Sequence, residues 1–249
     1  MSDGTGSVAL RAEAISVGYG RSTVVRGASL VVRHGEVSII VGPNGSGKST
    51  LLKGIVGVLP PTTGKVVLSL GDGAEKDITA SPPERASRLG VSYVPQLANV
   101  FPMLSVKENL VLGARGKRRE HAARLDHVYS VFPDLSAAER RAAHTLSGGQ
   151  RMMLALGRAL MGEARVVIVD EPSAGLSPRY REVVWEHLAR LRDTGVGMLV
   201  VEQNTHAALT LGNYGYVLVS GEVRKEGPAA SLLGDAELVE LYIGRRSRG

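Results

Sequence analysis

A chain of 249 residues with 43% apolar and 22% charged side chains is long enough for one α/β domain with a sizeable core, or for two small ones. It contains no cysteine, which excludes disulfides and thiolate metal sites. Its formal charge of +6 favours anionic partners such as nucleotides, nucleic acid or lipid headgroups. Two small basic clusters, Lys117-Arg118-Arg119 and Arg245-Arg246-Ser247-Arg248, read most simply as solvated surface. The six histidines, His34, His121, His127, His144, His187 and His206, show no pair at ligand spacing beside a third partner, so a metal held by side chains alone is not expected. Met1 to Ser7 lacks the basic-then-apolar pattern of a secretion signal. No apolar run approaches the ~18–20 residues needed to span a bilayer. The expectation is a cytoplasmic chain, held at a membrane only through a partner.

In chain order, the first 36 residues alternate β-like stretches with glycine turns; Val24-Val25 and Leu30-Val31-Val32 read as short strands. Val37 to Val41 is a compact β-branched run followed by a glycine-rich loop and a helix, in which Leu51, Leu52, Ile55, Val56 and Leu59 recur at helical spacing until Pro60-Pro61. Val91 to Val94 is another strand. Helical patterns then dominate residues 97–161, over Val106–Leu112, Ala122–Phe132, Ala137–Ala143 and Gln150–Met161. The β/α alternation resumes with a buried strand from Arg165 to Asp170, a helix over Arg179–Arg192 and a buried strand from Gly197 to Val201. A hairpin from Tyr216 to Arg224 turns at Ser220-Gly221. The pattern is one domain over 1–249, with a core of residues 1–96 and 162–249 and a helical insertion of residues 97–161.

Three motifs carry chemistry. Gly42-Pro-Asn44-Gly45-Ser-Gly47-Lys48-Ser49-Thr50 fits the phosphate-binding loop G-x-x-x-x-G-K-[ST], with a strand before it and a helix after it. Its glycines let main-chain N–H groups close around phosphate oxygens, and the helix start adds a favourable dipole. Lys48 would reach the β- and γ-phosphates, Ser49 would bind Mg²⁺, and Thr50 would donate to phosphate. The second motif is the apolar strand ending in Asp170-Glu171, at the carboxyl edge where open α/β sheets bind ligands. Asp170 would hold Mg²⁺ through water, and Glu171 would orient or deprotonate an attacking water. The third is Leu146-Ser147-Gly148-Gly149-Gln150, which reads as a helix start with a Ser147–Gln150 capping box. Two adjacent glycines cost helix stability, so bare amides for an anion are a second reading.

Leu-Ser-Gly-Gly-Gln between a phosphate loop and an acidic strand resembles the signature of ABC ATPases. The resemblance covers essentially the whole chain. It implies a P-loop α/β core with an N-terminal antiparallel β-subdomain and an inserted helical subdomain. It implies ATP and Mg²⁺ as ligands, and a dimer in which Ser147, Gly148, Gly149 and Gln150 of one subunit close on the γ-phosphate held by the other. Tyr19 matches the aromatic residue that stacks on adenine. Gln96 matches the glutamine of the loop joining core and helical subdomain and implies contact with Mg²⁺ or water, and Ser173-Ala-Gly-Leu176 matches the loop crossing the dimer interface. Taken singly, Tyr19 reads as a half-buried strand residue and Gln96 as a solvated loop residue.

Val100 to Leu110, Asp170 to Pro178, Val200-Val-Glu-Gln-Asn204 and Leu241-Tyr-Ile-Gly244 are together similar to the LivF type, one of the paired ATPases of bacterial branched-chain amino-acid uptake. That similarity implies import of leucine, isoleucine, valine or related amides and short polar solutes. It also implies a second ATPase subunit, two membrane-spanning permease subunits and an external solute-binding protein, with the chain peripheral on the inner face of the cell membrane. Two positions depart from most of the family: Gln203 stands where a histidine is usual, with His206 three residues on, and Ser177 replaces an aspartate. Gln203 would lie near the γ-phosphate and act on the attacking water. Phe101 and Met103 read either as anchors for a permease or as core residues. The competing functions are a soluble ABC-type ATPase acting on nucleic acid or ribosomes, and a non-hydrolysing regulatory subunit. Intact Lys48, Ser147, Asp170 and Glu171 oppose the latter, and no nucleic-acid partner is expected.

Overall fold

The computed structural model describes residues 6–71, 73–79, 81–97 and 99–235. Its elements are β1 (Val8–Tyr19), β2 (Ser22–Arg33), β3 (Val37–Val41), α1 (Lys48–Ile55), β4 (Thr63–Gly71), β5 (Ala74–Asp77), α2 (Pro83–Arg88) and β6 (Val91–Val94). Helices α3 (Val106–Gly113), α4 (His121–Val131), α5 (Pro133–Ala137) and α6 (Gly148–Met161) follow. The chain continues through β7 (Val166–Asp170), α7 (Pro178–Asp193), β8 (Gly197–Glu202), α8 (Thr205–Leu211), β9 (Tyr214–Val219), β10 (Glu222–Pro228) and α9 (Ala229–Leu233). Leu241–Gly244 and the basic run Arg245–Arg248 lie outside the described residues. Among the described residues no helix is long and apolar enough to cross a membrane.

Two sheets form. One is antiparallel, in the order β2-β1-β4-β5, and the other runs β10-β9-β3-β8-β7-β6, parallel from β9 to β6. Strands β3, β7 and β8 are buried along their whole length, as parallel strands covered on both faces must be. The period of two sorts their side chains. Ile39, Val167, Val169, Met198 and Val200 face a core built with α3, α6 and α7. Ile40, Val166, Ile168, Leu199 and Val201 face a second core built with α1 and the antiparallel sheet. The architecture is thus the expected P-loop core with an antiparallel β-subdomain and a helical segment between β6 and β7.

Three local expectations are corrected. Val24-Val25 and Leu30–Val32 belong to one continuous strand, β2. Helix α1 ends at Ile55 instead of running to Leu59: Gly57 adopts φ +79°, a left-handed stop that glycine takes without steric cost. No helix spans Ala137–Ala143. Pro133 starts α5 earlier, and the chain beyond it is drawn out by pairing with the start of α3, through a Ser105–Ala142 bridge and the bonds Val106 N–H to Arg141 O and Ala143 N–H to Leu104 O, both 2.9 Å.

The topology decides what meets at the carboxyl edge. Register pairs Val41 with Glu202 and Asp170 with Val201. The chain leaving β8 therefore emerges between the glycine loop after β3 and the acids at the end of β7.

Candidate active site

The loop after β3 is shaped by close approach. A Cβ on Gly42 would lie 2.1 Å from the Leu218 carbonyl oxygen of β9, so a side chain there would push the loop off the sheet. Gly47 sits at φ +100° as the N-cap of α1, with no side-chain cap over the helix start. The Ser46 hydroxyl is buried without a partner. An uncapped helix start beside an orphaned hydroxyl is a donor set suited to phosphate oxygens. Asn44 and Gly45 are exposed at the loop tip, and Thr50 is buried in the first turn of α1. Lys48 is 5% exposed and turns its ammonium back onto the loop, donating to Gly42 O at 2.8 Å and Pro43 O at 3.0 Å. Burial pulls its pKa below the usual lysine range, opposed by the nearby charges of Glu171, Asp170 and Glu202.

Across from the loop, Asp170 Oδ1 accepts the Ser49 hydroxyl at 3.1 Å and Oδ2 accepts the Tyr93 hydroxyl at 3.3 Å. Burial pushes the Asp170 pKa up while these two bonds hold it down. Ser49 and Asp170 form a pair of hard oxygens of the kind that holds Mg²⁺ together with substrate phosphates. Glu171 follows at φ +45°, a strained conformation for a non-glycine residue that costs about 1–3 kcal/mol and persists only where surroundings enforce it. One enforcing contact is the bond from Glu171 N–H to Val201 O, 2.9 Å. Glu171 Oε2 accepts the side-chain amides of both Gln96, at 3.1 Å, and Gln203, at 2.7 Å. Two carboxamides from the ends of β6 and β8 thus converge on one oxygen of the acid at the end of β7.

Tyr19 is half exposed at the tip of the β1–β2 hairpin. On β2, Val24 and Val25 would meet a Cβ on Gly47 at 3.3 and 3.1 Å, so the hairpin lies against the phosphate loop. Ser147 caps α6 in a reciprocal box, accepting from Gln150 N–H at 3.2 Å while its own N–H donates to the Gln150 side chain at 3.0 Å. A Cβ on Gly148 would come within 2.7 Å of Leu176 Cδ2, and one on Gly149 within 3.7 Å of Tyr180 and Val183. The segment therefore packs on the start of α7. No hydrogen bond between described residues joins 147–150 to the phosphate loop.

The ABC transporter family matches residues 25–174, the span from β2 through both acids and the capped glycine pair. The chain belongs to this family. It binds ATP and hydrolyses it. The cassette is 39% identical to a protein of Archaeoglobus fulgidus described as a probable branched-chain amino acid transport ATP-binding protein, LivF, over 94% of this chain and 98% of that one. It is 34% identical to the high-affinity branched-chain amino acid transport ATP-binding protein BraG of Pseudomonas aeruginosa, over 92% and 97% of the two chains. Among solved structures, the ADP conformation of an ATP-binding cassette of an ABC transporter superposes with a TM-score of 0.84 at 30% identity, covering 96% of this chain and 99% of the other.

Three residues of this cassette escaped sequence reasoning. Tyr93 supplies a second bond to Asp170, yet in sequence it is one aromatic residue in a short strand. Ser46 is an x position of the loop pattern. Glu202 is a buried carboxylate next to Gln203; its only signal was an acid ending an apolar strand, and charge is ordinarily solvated. His206, by contrast, is exposed on α8, while Gln203 makes the contact with Glu171.

Proposed function

We propose that this cassette couples Mg-ATP hydrolysis to the import of branched-chain or related amino acids, as one of two ATPase subunits beneath a pair of membrane-spanning permeases that receive solute from an external binding protein. The observation that carries the hydrolytic part is the double amide contact on Glu171 Oε2. Gln96 and Gln203 hold the carboxylate in one orientation while the left-handed turn beneath it keeps the side chain at the sheet edge. In this reading Glu171 orients the attacking water and takes its proton. Gln203 donates to a phosphate oxygen and accepts from the attacking water, which glutamine also orients in other nucleotide hydrolases. Lys48 leaves the loop carbonyls for the β- and γ-phosphates, and Ser49 with Asp170 holds Mg²⁺, which would neutralise charge developing on the phosphates. Tyr19 stacks on adenine, and Ser147 to Gln150 face the nucleotide of the partner ATPase.

We read residues 1–96 and 162–249 as the core and 97–161 as the insertion that meets the permease. Support comes from the groove between them, about 530 Å³ in volume and lined by Val56, Val58, Phe101, Leu112, Arg115 and Arg158 among others. Phe101 is half exposed beneath the Arg158 guanidinium, 4.9 Å from the ring centroid, and Met103 is 80% exposed. Both are therefore open to a partner, where apolar anchors dominate binding. The cargo rests on the names carried by the relatives, and the inner face of the membrane as location rests on the permease partners.

Glu171→Gln preserves shape and removes the base. Turnover should fall by ~10²–10⁴ while ATP still binds and a closed, ATP-filled dimer accumulates; turnover near wild type would remove Glu171 from this role. For the cargo, cells lacking the protein should lose uptake of labelled leucine, isoleucine or valine. Unchanged uptake of all three would overturn the assignment.

A further inference from the structure

Strand β8 ends in a carboxylate with no part in the chemistry described so far. Glu202 is 2% exposed, and each of its oxygens accepts a main-chain N–H: Oε1 that of Ser173 at 2.8 Å, Oε2 that of Gln203 at 3.0 Å. Burying a carboxylate is costly unless its charge is paired and hydrogen-bonded. Here the compensation is two charge-assisted bonds to amides, with the Lys48 ammonium near enough to feel the charge but no salt bridge to Glu202 within 4 Å among the described residues. Ending a strand requires no buried carboxylate, whereas two separate acceptor oxygens let one side chain hold two N–H donors from different segments at once.

The two amides belong to segments with different contacts. Gln203 carries the side chain that reaches Glu171 Oε2. Ser173 opens the loop Ser173–Leu176, closed by Leu176 N–H to Ser173 O at 3.3 Å, and Leu176 packs against Gly148 at the start of α6. One carboxylate thus ties the glutamine beside Glu171 to the loop that touches the signature helix.

We propose that Glu202 is a positioning residue for ATP hydrolysis: it fixes the main chain of Gln203, so that the side-chain amide stays on Glu171, and fixes Ser173, so that the loop against the signature helix keeps step with it. The inference rests on the role proposed above for Gln203. Glu202→Gln changes no volume but presents an NH₂ group to one of the two N–H donors, breaking one bond. Glu202→Asp keeps both acceptors on a stem one methylene shorter.

The test is a cycle of Glu202→Gln, Gln203→Ala and the double variant in the full-length protein, with kcat and KM for ATP read separately and thermal melting recorded. Glu202→Gln should lower kcat about 10-fold with KM within about twofold, and the loss in the double variant should fall well short of the product of the two single losses, because one of the two Glu202 bonds acts through the Gln203 amide and only the other through Ser173. Glu202→Asp should recover part of the loss, and it replaces Glu202→Gln in the cycle if that variant does not fold. A silent Glu202→Gln, or effects that multiply in the double variant, would overturn the inference while leaving Gln203 in place. A silent Gln203→Ala would overturn the reading of Gln203 itself, and this inference with it.

Discussion

Two helices of this cassette begin in glycine-rich turns, and they treat their first amides differently. Helix α1 starts at Gly47 with no side-chain cap, beside a buried hydroxyl of Ser46 that bonds to nothing. Helix α6 starts at Ser147 with a complete capping box that occupies the Gln150 amide. The first end is built to be completed by a ligand; the second is largely satisfied by its own chain and has only part of its donor set to offer. The difference is what the proposed function would require, with one subunit holding the phosphates alone and the partner's 147–150 segment adding to them only on closure.

The sharpest test of that contrast is at Lys48. Removing its charge in Lys48→Ala should weaken Mg-ATP binding to the isolated chain by on the order of 10²-fold or more, since hydrogen bonds to charged groups contribute about 1.5–3 kcal/mol each and Lys48 would serve two phosphates. Calorimetry reads this directly, and an unchanged affinity would mean that the α1 end is not the site. Next in size is the switch between β8 and the acids. Gln203→Ala should slow turnover by at least ~10-fold, or ~1.4 kcal/mol in the barrier, with little change in ATP affinity, and exposed His206→Ala should do much less. The reverse pattern would move the γ-phosphate contact to His206.

The side of the sheet that carries α6 also holds His187, 3% exposed with both ring nitrogens unpartnered and its ring edge-on to Phe132 at 5.7 Å. Burial and then Arg190 pull its pKa below 6.5, against Asp134 and Glu186. In acid the unfolded chain binds a proton that the fold refuses. Stability should therefore be intact above about pH 6.5 and fall below it, by at most about 1.4 kcal/mol per pH unit for one such group. Chemical unfolding at pH 7.5 and 5.5 should show a loss that His187→Leu reduces; an equal loss in both proteins would clear His187. The smallest effect is expected at the signature end itself. Ser147→Ala should cost about 1 kcal/mol of stability through the lost cap while leaving ATP affinity of the isolated chain unchanged. A fall in that affinity would show that α6 already serves the nucleotide within its own subunit.

The strongly patterned parts of this protein were legible in the sequence for local reasons. The phosphate loop needs glycine where the backbone approaches β9 and where φ is positive, so its residues are nearly forced. The Ser147–Gln150 box is a contact three residues long, and strands buried on both faces announce themselves as mostly apolar runs, broken here only by Ser38 in β3 and by the acids that end β7 and β8. Other features depended on partners far away in sequence. The absence of a helix over Ala137–Ala143 follows from pairing with Ser105, some 37 residues earlier (Ala142 against Ser105), and local propensity cannot register that competition. The convergence of Gln96 and Gln203 on Glu171 exists because β6, β7 and β8 are neighbours in one sheet, an order that appears nowhere in the linear chain.

By itself, then, the sequence determined that a phosphate loop, an acidic strand and a capped glycine pair are present, because each is set by contacts within a few residues. Only the tertiary structure decided that Glu202 is buried and doubly bonded, that Gln203 and not His206 meets Glu171, and that Phe101 and Met103 remain open. Burial and register depend on which strands and helices pack together, and that is a property of the whole chain.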